Sequence, residues 1–67
     1  MITVNINGAA HQLPDSVSIA ALLEKQGLTG KRIALERNGV IVPRSSFNTQ
    51  QLMDGDKLEV VVAVGGG

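Results

Sequence analysis

The chain has 67 residues, a formal net charge of zero, eight glycines, one histidine and no cysteine. This length supports one small domain, and the lack of cysteine excludes disulfides, Cys/His zinc sites and a thiol nucleophile. Balanced charge with Phe47 as the only aromatic residue argues against nucleic-acid binding, which uses a basic surface and stacking rings. The fold must therefore depend on burial of aliphatic side chains.

The N-terminal segment predicts a β-hairpin. Apolar and polar residues alternate from Ile2 to Ile6, and Asn7-Gly8 supplies two residues that tolerate positive φ, so residues 9–13 form the returning strand. This alternation differs from the basic and apolar blocks of a signal peptide, and no segment approaches the roughly 20 apolar residues of a membrane span. We therefore expect no membrane segment and a cytoplasmic location.

A helix is predicted over residues 19–26. Ser18 is a typical N-cap, and Val17 before it can pack on the first apolar turn. Gly27 stands where a left-handed residue ends a helix, and Leu28 can pack back on Leu23 in a Schellman motif. The apolar residues that share one face are Ile19, Leu22 and Leu23.

The second half of the chain predicts three further strands. Residues 33–37 and 40–42 flank an Asn38-Gly39 turn, and residues 57–64 are apolar enough to lie at the centre of a sheet. Between them, Phe47 and Leu52 are the expected inward anchors of an irregular segment. The order ββαβ(β)β predicts an α+β fold of the ubiquitin-like β-grasp type. It has a mixed four- to five-stranded sheet with one helix on one face, and its first and last strands pair in parallel.

Three terminal glycines have no role in turning the chain. Gly65, Gly66 and Gly67 carry maximal backbone entropy and bury no side chain, so they contribute nothing to folding. A thin arm of this kind can enter a channel too narrow for a Cβ atom and present its carboxylate to another protein. A frayed end or a cloning remnant is the alternative. Because the glycines continue a central strand, we predict a domain over residues 1–64 and a functional flexible tail over residues 65–67.

The chain resembles the bacterial sulfur carrier proteins of thiamine biosynthesis (the ThiS family), which are ubiquitin-like proteins with a Gly-Gly end. The resemblance covers essentially the whole chain. The segments that carry it are Asn7-Gly8, Val17-Ser18-Ile19-Ala20-Ala21-Leu22-Leu23, Ile33-Ala34-Leu35, Asn38-Gly39-Val40-Ile41-Val42-Pro43-Arg44-Ser45, Leu52-Met53-Asp54-Gly55-Asp56 and the final glycines. The Asn-Gly-x-Ile-Val-Pro-Arg stretch distinguishes it from the small subunit of molybdopterin synthase. Two positions depart from the pattern of the family: Phe47 stands where the family often has Trp, and Arg37 stands where an aliphatic residue is common.

The resemblance implies a protein cosubstrate and not an enzyme. A partner adenylyltransferase, which binds Mg-ATP and usually zinc, would adenylate the Gly67 carboxylate, and a persulfide would convert it to a thiocarboxylate. Thiazole synthase would then take the sulfur. Gly66 would give the tail access to the active site of the partner, and Gly65 would act as a spacer. This chain itself would bind no cofactor or metal. The alternatives are a carrier for molybdopterin or another pathway, a modifier conjugated to lysines, and an interaction module with an inert tail.

The last strand also predicts a partner surface. Its alternate residues are expected to face the helix, namely Leu58, Val60 and Val62. Val61 and Ala63 would then project from the opposite face together with Ala34, as an exposed apolar patch near the tail. The alternatives are that loops cover these residues, or that they serve only β-propensity. Arg44, beside Pro43, is a further candidate for the partner interface.

The remaining polar residues are interpreted as structural. His11 is expected opposite Val4 at the rim of the sheet, half-buried and without a nucleophile to serve. Asp54 and Asp56 resemble a metal pair, but Asp-Gly-Asp at the start of a strand is typical of a turn. The basic residues are expected to be solvated charges: Lys31, Arg32, Arg37 and Arg44.

Overall fold

A β-hairpin begins the fold in a computed structural model that describes residues 1–63. Strand β1 (Ile2–Ile6) pairs antiparallel with β2 (Ala9–Leu13), and His11 lies opposite Val4, as predicted. Asn7 and Gly8 connect the strands with φ angles of 51° and 90°. The Asn-Gly pair suits this turn because both of its residues lie in the left-handed region.

Helix α1 (Ile19–Lys25) follows the hairpin, with a cap at each end. The Ser18 hydroxyl accepts a hydrogen bond from the Ala21 N–H at 3.1 Å. At the other end, the Leu28 N–H donates to the Leu23 carbonyl at 2.8 Å and the Gly27 N–H to the Glu24 carbonyl at 3.0 Å. Gly27 has φ 73°, which completes the predicted Schellman motif. The predicted helix end was wrong by one residue, because Gln26 is the C-cap.

The second half of the chain contains strands β3 (Ile33–Arg37), β4 (Val40–Ile41) and β5 (Lys57–Val62). The prediction that β4 includes Val42 was wrong: the Val42 N–H still bonds to the Leu35 carbonyl at 2.9 Å, but Pro43 follows and has no N–H with which to continue the ladder. Strand β5 ends at Val62, earlier than predicted, because its partner β3 begins opposite Val62, at Ile33. The predicted boundary between domain and tail falls outside the described residues and stays a prediction.

The five strands form one mixed sheet in the order β2-β1-β5-β3-β4. β1 and β5 are parallel neighbours, and β5 pairs antiparallel with β3. Helix α1 lies against one face of this sheet, so the predicted α+β, ubiquitin-like β-grasp architecture is confirmed. The side chains buried between the two layers are Val4, Leu13, Val17, Ile19, Leu22, Leu23, Leu35, Val42, Phe47, Leu52 and Leu58.

The segment between β4 and β5 closes the open end of the core. It starts with a short 3₁₀ turn at Arg44–Ser46, within a stretch predicted as irregular. Phe47 and Leu52 are buried, as predicted, and their backbone groups hold the segment to the helix start: the Ala20 N–H donates to the Phe47 carbonyl at 2.8 Å, and the Leu52 N–H to the Val17 carbonyl at 2.9 Å. Within residues 1–63, no helix has the length and apolar character needed to cross a membrane.

Candidate functional site

The central strand of the sheet leads toward the glycine tail. β5 lies between β1 and β3, and after it the Ala63 N–H donates to the Arg32 carbonyl at 2.8 Å, beside the start of β3. Gly65, Gly66 and Gly67 lie outside the described residues, so their predicted roles stay predictions. The described residues nearest to the tail in the sequence lie at the end of β5, and strands β1 and β3 flank them in the sheet.

The face of the sheet that is opposite the helix carries an exposed apolar surface. Val61 is 61% exposed and pairs across the β3–β5 ladder with Ala34, which is also exposed. Ala63, two residues further along the chain, is exposed as well. The suggestion that loops cover these residues was wrong, since the described segments leave Val61 open. The predicted exposure is confirmed, while a role in partner binding stays a prediction.

Ile41 extends this surface, although it was not among the residues predicted from the sequence. It is 72% exposed and lies opposite Glu36 on β3, so its side chain is on the same face as Ala34 and Val61. The signal that could have found it is the two-residue Asn38-Gly39 turn, which sets this register. We call the exposed residues Ala34, Ile41, Val61 and Ala63 the outer-face patch.

Arg44 does not belong to the outer-face patch. It lines a surface groove of about 240 Å³ on the helix side of the sheet, together with Ala20, Leu23 and Phe47. The structure therefore separates it from Val61 and Ala34, the residues with which it had been grouped as a partner surface.

Arg37 and Asp56 form an ion pair at the base of β3 and β5. The Arg37 Nη2 lies 2.8 Å from the Asp56 Oδ2, and the Arg37 side chain is only 19% exposed. The prediction that Arg37 is a solvated charge was therefore wrong. Its side chain is enclosed because residue 37 points to the helix side of β3, where it pairs in register with Leu58.

The Asp56 carboxylate accepts two further hydrogen bonds. The Met53 N–H donates to Oδ2 at 2.8 Å, and the Asn38 Nδ2 donates to Oδ1 at 3.0 Å. Burial of this side chain raises its pKa, but the hydrogen bonds from Met53 and Asn38 and the Arg37 guanidinium outweigh burial and hold the pKa of Asp56 below its usual value. The carboxylate is thus a structural centre that is ionised at neutral pH.

The two aspartates that resembled a metal pair are both engaged by protein groups. Asp54 Oδ1 accepts from the Thr3 N–H at 2.8 Å, and Asp56 is occupied by Arg37, Asn38 and Met53. Among the residues that the structure describes, no group of three His, Cys, Asp or Glu side chains could hold a metal ion. The interpretation of Asp-Gly-Asp as turn chemistry therefore agrees with the geometry. His11 is half-buried on the edge strand β2, as expected.

The comparison with known families matches nearly the whole chain. A model of the ThiS family aligns with residues 3–67. The chain belongs to the ThiS family. The crystal structure of a thiamine biosynthesis protein (ThiS) from Geobacter metallireducens is similar to it, with a TM-score of 0.82, 25% identity, and coverage of 98% of this chain and 100% of the other.

Two curated relatives of this ThiS-family chain differ in length. A protein named thiazole synthase from Paramagnetospirillum magneticum is 44% identical over 92% of this chain, which spans only 19% of that protein's length. An uncharacterized protein, ycf40, from Pyropia yezoensis is 36% identical over 98% of this chain and 93% of its own length. This chain is thus similar both to nearly all of a small protein and to a segment of a much longer one.

Proposed function

We propose that this ThiS-family chain is a sulfur carrier for the synthesis of the thiazole ring of thiamine. The observation that carries the proposal is the position of three glycines in the sequence soon after the central strand β5, in a chain of this family. The sheet supplies a rigid base, and a tail without side chains can reach a narrow active site. We infer that the Gly67 carboxylate carries the sulfur.

The proposed chemistry begins with activation, because a carboxylate has a poor leaving group and its charge repels nucleophiles. The Gly67 carboxylate attacks the α-phosphorus of Mg-ATP on an adenylyltransferase, and pyrophosphate leaves. A persulfide sulfur then attacks the acyl carbon and AMP leaves, after which a thiol cleaves the S–S bond to release the thiocarboxylate. Gly66 and Gly65 give this carboxylate access to the partner. We place the reaction, which consumes ATP, in the cytoplasm.

Thiazole synthase is the proposed recipient of the sulfur. A curated relative with that name contains a segment similar to nearly all of this chain, which supports a shared pathway. The outer-face patch offers both partners a docking surface, since an exposed group of apolar side chains on a sheet is typical of a protein interface. In this proposal the chain is a cosubstrate, and catalysis is left to the partners.

Intact-mass spectrometry tests the proposal. The chain incubated with the adenylyltransferase, ATP and a sulfur source should gain about 16 Da, because sulfur replaces one oxygen. Gly67→Val should gain nothing while its circular dichroism and melting temperature stay unchanged, since the branched side chain blocks entry of the tail. The protein isolated from its native cell should also show the mass of a chain that ends at Gly67. Isopeptide adducts in place of the thiocarboxylate would instead identify a modifier and contradict the carrier function.

A further inference from the structure

Two glutamates face each other beside the outer-face patch. Glu36 on β3 and Glu59 on β5 are directly opposite in the antiparallel ladder, and both are exposed. Side chains alternate along a strand, so Glu36 lies on the same face as Ala34 and Glu59 on the same face as Val61. Like charges directly opposite each other in a ladder destabilise a sheet. The fold therefore places two carboxylates that repel each other at exposed positions where an uncharged polar residue would fit the strand equally well.

No cation within residues 1–63 forms an ion pair with either glutamate. The ion pairs there join Arg37 to Asp56 and the N-terminus to Asp15, and neither involves Glu36 or Glu59. Lys57 is on the same face of β5, two residues before Glu59, but it forms no ion pair in the described part of the chain. The two carboxylates are thus available to a charge from outside.

The positions of the charges relative to the apolar residues indicate the chemistry of the partner. Glu59, Glu36 and Ile41 form one row across β5, β3 and β4, and Val61 with Ala34 forms the adjacent row. A surface that covers the apolar row must also cover the acidic pair and remove it from water. Burying two carboxylates without a counter-charge is strongly unfavourable, so the covering surface has to bring a cation.

We propose that the partner of the outer-face patch is a protein surface that places a Lys or Arg side chain between Glu36 and Glu59, with apolar residues beside it against Val61 and Ala34. This proposal rests on the proposed function, since it specifies the chemistry of the docking partner. Arginine suits the site best, because its planar guanidinium can donate to both carboxylates at once. The repulsion in the free chain is relieved on docking, which favours basic partners over others.

The double variant E36Q/E59Q tests this proposal against the control Glu24→Gln, an exposed residue on the opposite side, in helix α1. The double variant should bind the adenylyltransferase or thiazole synthase about tenfold more weakly than the wild type at low salt, and its affinity should depend less on salt concentration. Its melting temperature should rise by about 1 to 5 °C, since the repulsion is removed. The control should change neither binding nor its salt dependence.

Two results would overturn the proposal. One is unchanged affinity and salt dependence in E36Q/E59Q, and the other is stabilisation of the wild type by Mg²⁺ or Ca²⁺ that the double variant lacks, which would assign the pair to a metal ion. The mass gain of the wild type, measured with the same partners, separates this proposal from the proposed function. If the wild type gains sulfur while E36Q/E59Q binds normally, only the proposal of a basic docking partner is wrong. If the wild type neither binds nor gains sulfur, both that proposal and the proposed carrier function are wrong.

Discussion

Asp56 is the residue on which two separate segments converge. Its carboxylate accepts from the side chains of Arg37 and Asn38, in and after β3, and from the backbone of Met53. The side chain of Arg37 also donates to the Gln50 Oε1 at 3.2 Å, so the same guanidinium makes a second contact with the segment that contains Met53. Asp56 is only 6% exposed, and removing its charge would leave the guanidinium of Arg37 without its ionic partner.

We predict that Asp56→Asn lowers the free energy of unfolding by about 2–3 kcal/mol, because one buried charge is left uncompensated and an acceptor is lost. Urea denaturation at pH 7 measures this difference. Asp15→Asn is the matched control: Asp15 is largely exposed and pairs only with the N-terminus, so we expect a loss below about 0.5 kcal/mol. Equal losses in the two variants would show that the Arg37–Asp56 pair contributes no more to the free energy of unfolding than an exposed ion pair does.

The same residue sets part of the acid sensitivity of the fold. The pKa of Asp56 is lowered in the folded state, so its stabilising contribution is fully present above the unfolded-state pKa of about 4. This contribution decreases as the pH falls from about 5 through the lowered folded-state pKa. Urea titrations between pH 7 and pH 2 should therefore show a flatter pH dependence in Asp56→Asn than in the wild type. Parallel curves would contradict this.

The asparagines of the two tight turns, Asn7 and Asn38, both use their side chains to form hydrogen bonds with the backbone of β5. Asn7 Oδ1 accepts from the Val60 N–H at 2.7 Å while its Nδ2 donates to the Val60 carbonyl at 3.0 Å. Asn38 Oδ1 accepts from the Lys57 N–H at 2.9 Å. Each side chain continues a ladder with β5 after its own strand has turned away. Only asparagine combines this amide with tolerance of positive φ, which explains why it is used in both turns.

At the scale of elements, helix α1 depends on its ends because it is short. Seven residues are too few for a helix to be stable without tertiary contacts and caps. Its inner face packs Ile19, Leu22 and Leu23 on the sheet, while Ser18 and Gly27 complete the hydrogen bonding of its termini. The cap residues act through local geometry, and that is why the sequence alone could locate them.

We predict that Ser18→Ala lowers the free energy of unfolding by about 1 kcal/mol, since the Ala21 N–H loses its acceptor. Ser16→Ala serves as the control, because Ser16 is an exposed serine two residues earlier and is not the N-cap. Thermal unfolding of the two variants under identical conditions measures the difference. A loss in Ser16→Ala as large as in Ser18→Ala would contradict a specific capping effect.

At the scale of the whole molecule, the sheet separates stability from recognition. On β5, Leu58 belongs to the core and Val60 packs against it, whereas Val61 and Glu59 on the opposite face belong to the outer-face patch and to the acidic pair. A substitution on one face should therefore affect folding and a substitution on the other should affect binding. Adjacent residues of one strand allow this separation to be tested directly.

We predict that Val61→Lys weakens binding to the adenylyltransferase or thiazole synthase while the free energy of unfolding changes by less than about 0.5 kcal/mol, because Val61 is exposed. Val60→Lys should instead lower the free energy of unfolding by about 2 kcal/mol, because Val60 packs against the core. Calorimetric binding and urea denaturation measure the two effects. Normal binding by Val61→Lys would exclude the outer-face patch as the docking surface.

The sequence by itself determined the order of the elements, the two Asn-Gly turns, the helix caps and the assignment of Val61 and Ala34 to the face away from the helix. These features depend on residues that are neighbours in the chain, where alternation, positive φ and capping act locally. The glycine tail and its role as a carrier were likewise inferred from the sequence and stand as its prediction. Element ends were less accurate: the helix ends one residue early, before its C-cap Gln26, and β5 ends at Val62, because its partner β3 begins opposite that residue.

Only the tertiary structure decided which distant residues meet. The register of β3 against β5 turns Arg37 toward the buried carboxylate of Asp56 instead of into solvent and sets Glu36 opposite Glu59. The fold also moves Arg44 to the helix side, away from that face. The physical reason is that strand register is set by the burial of a whole face at once, and a shift of one residue would reverse every one of these assignments.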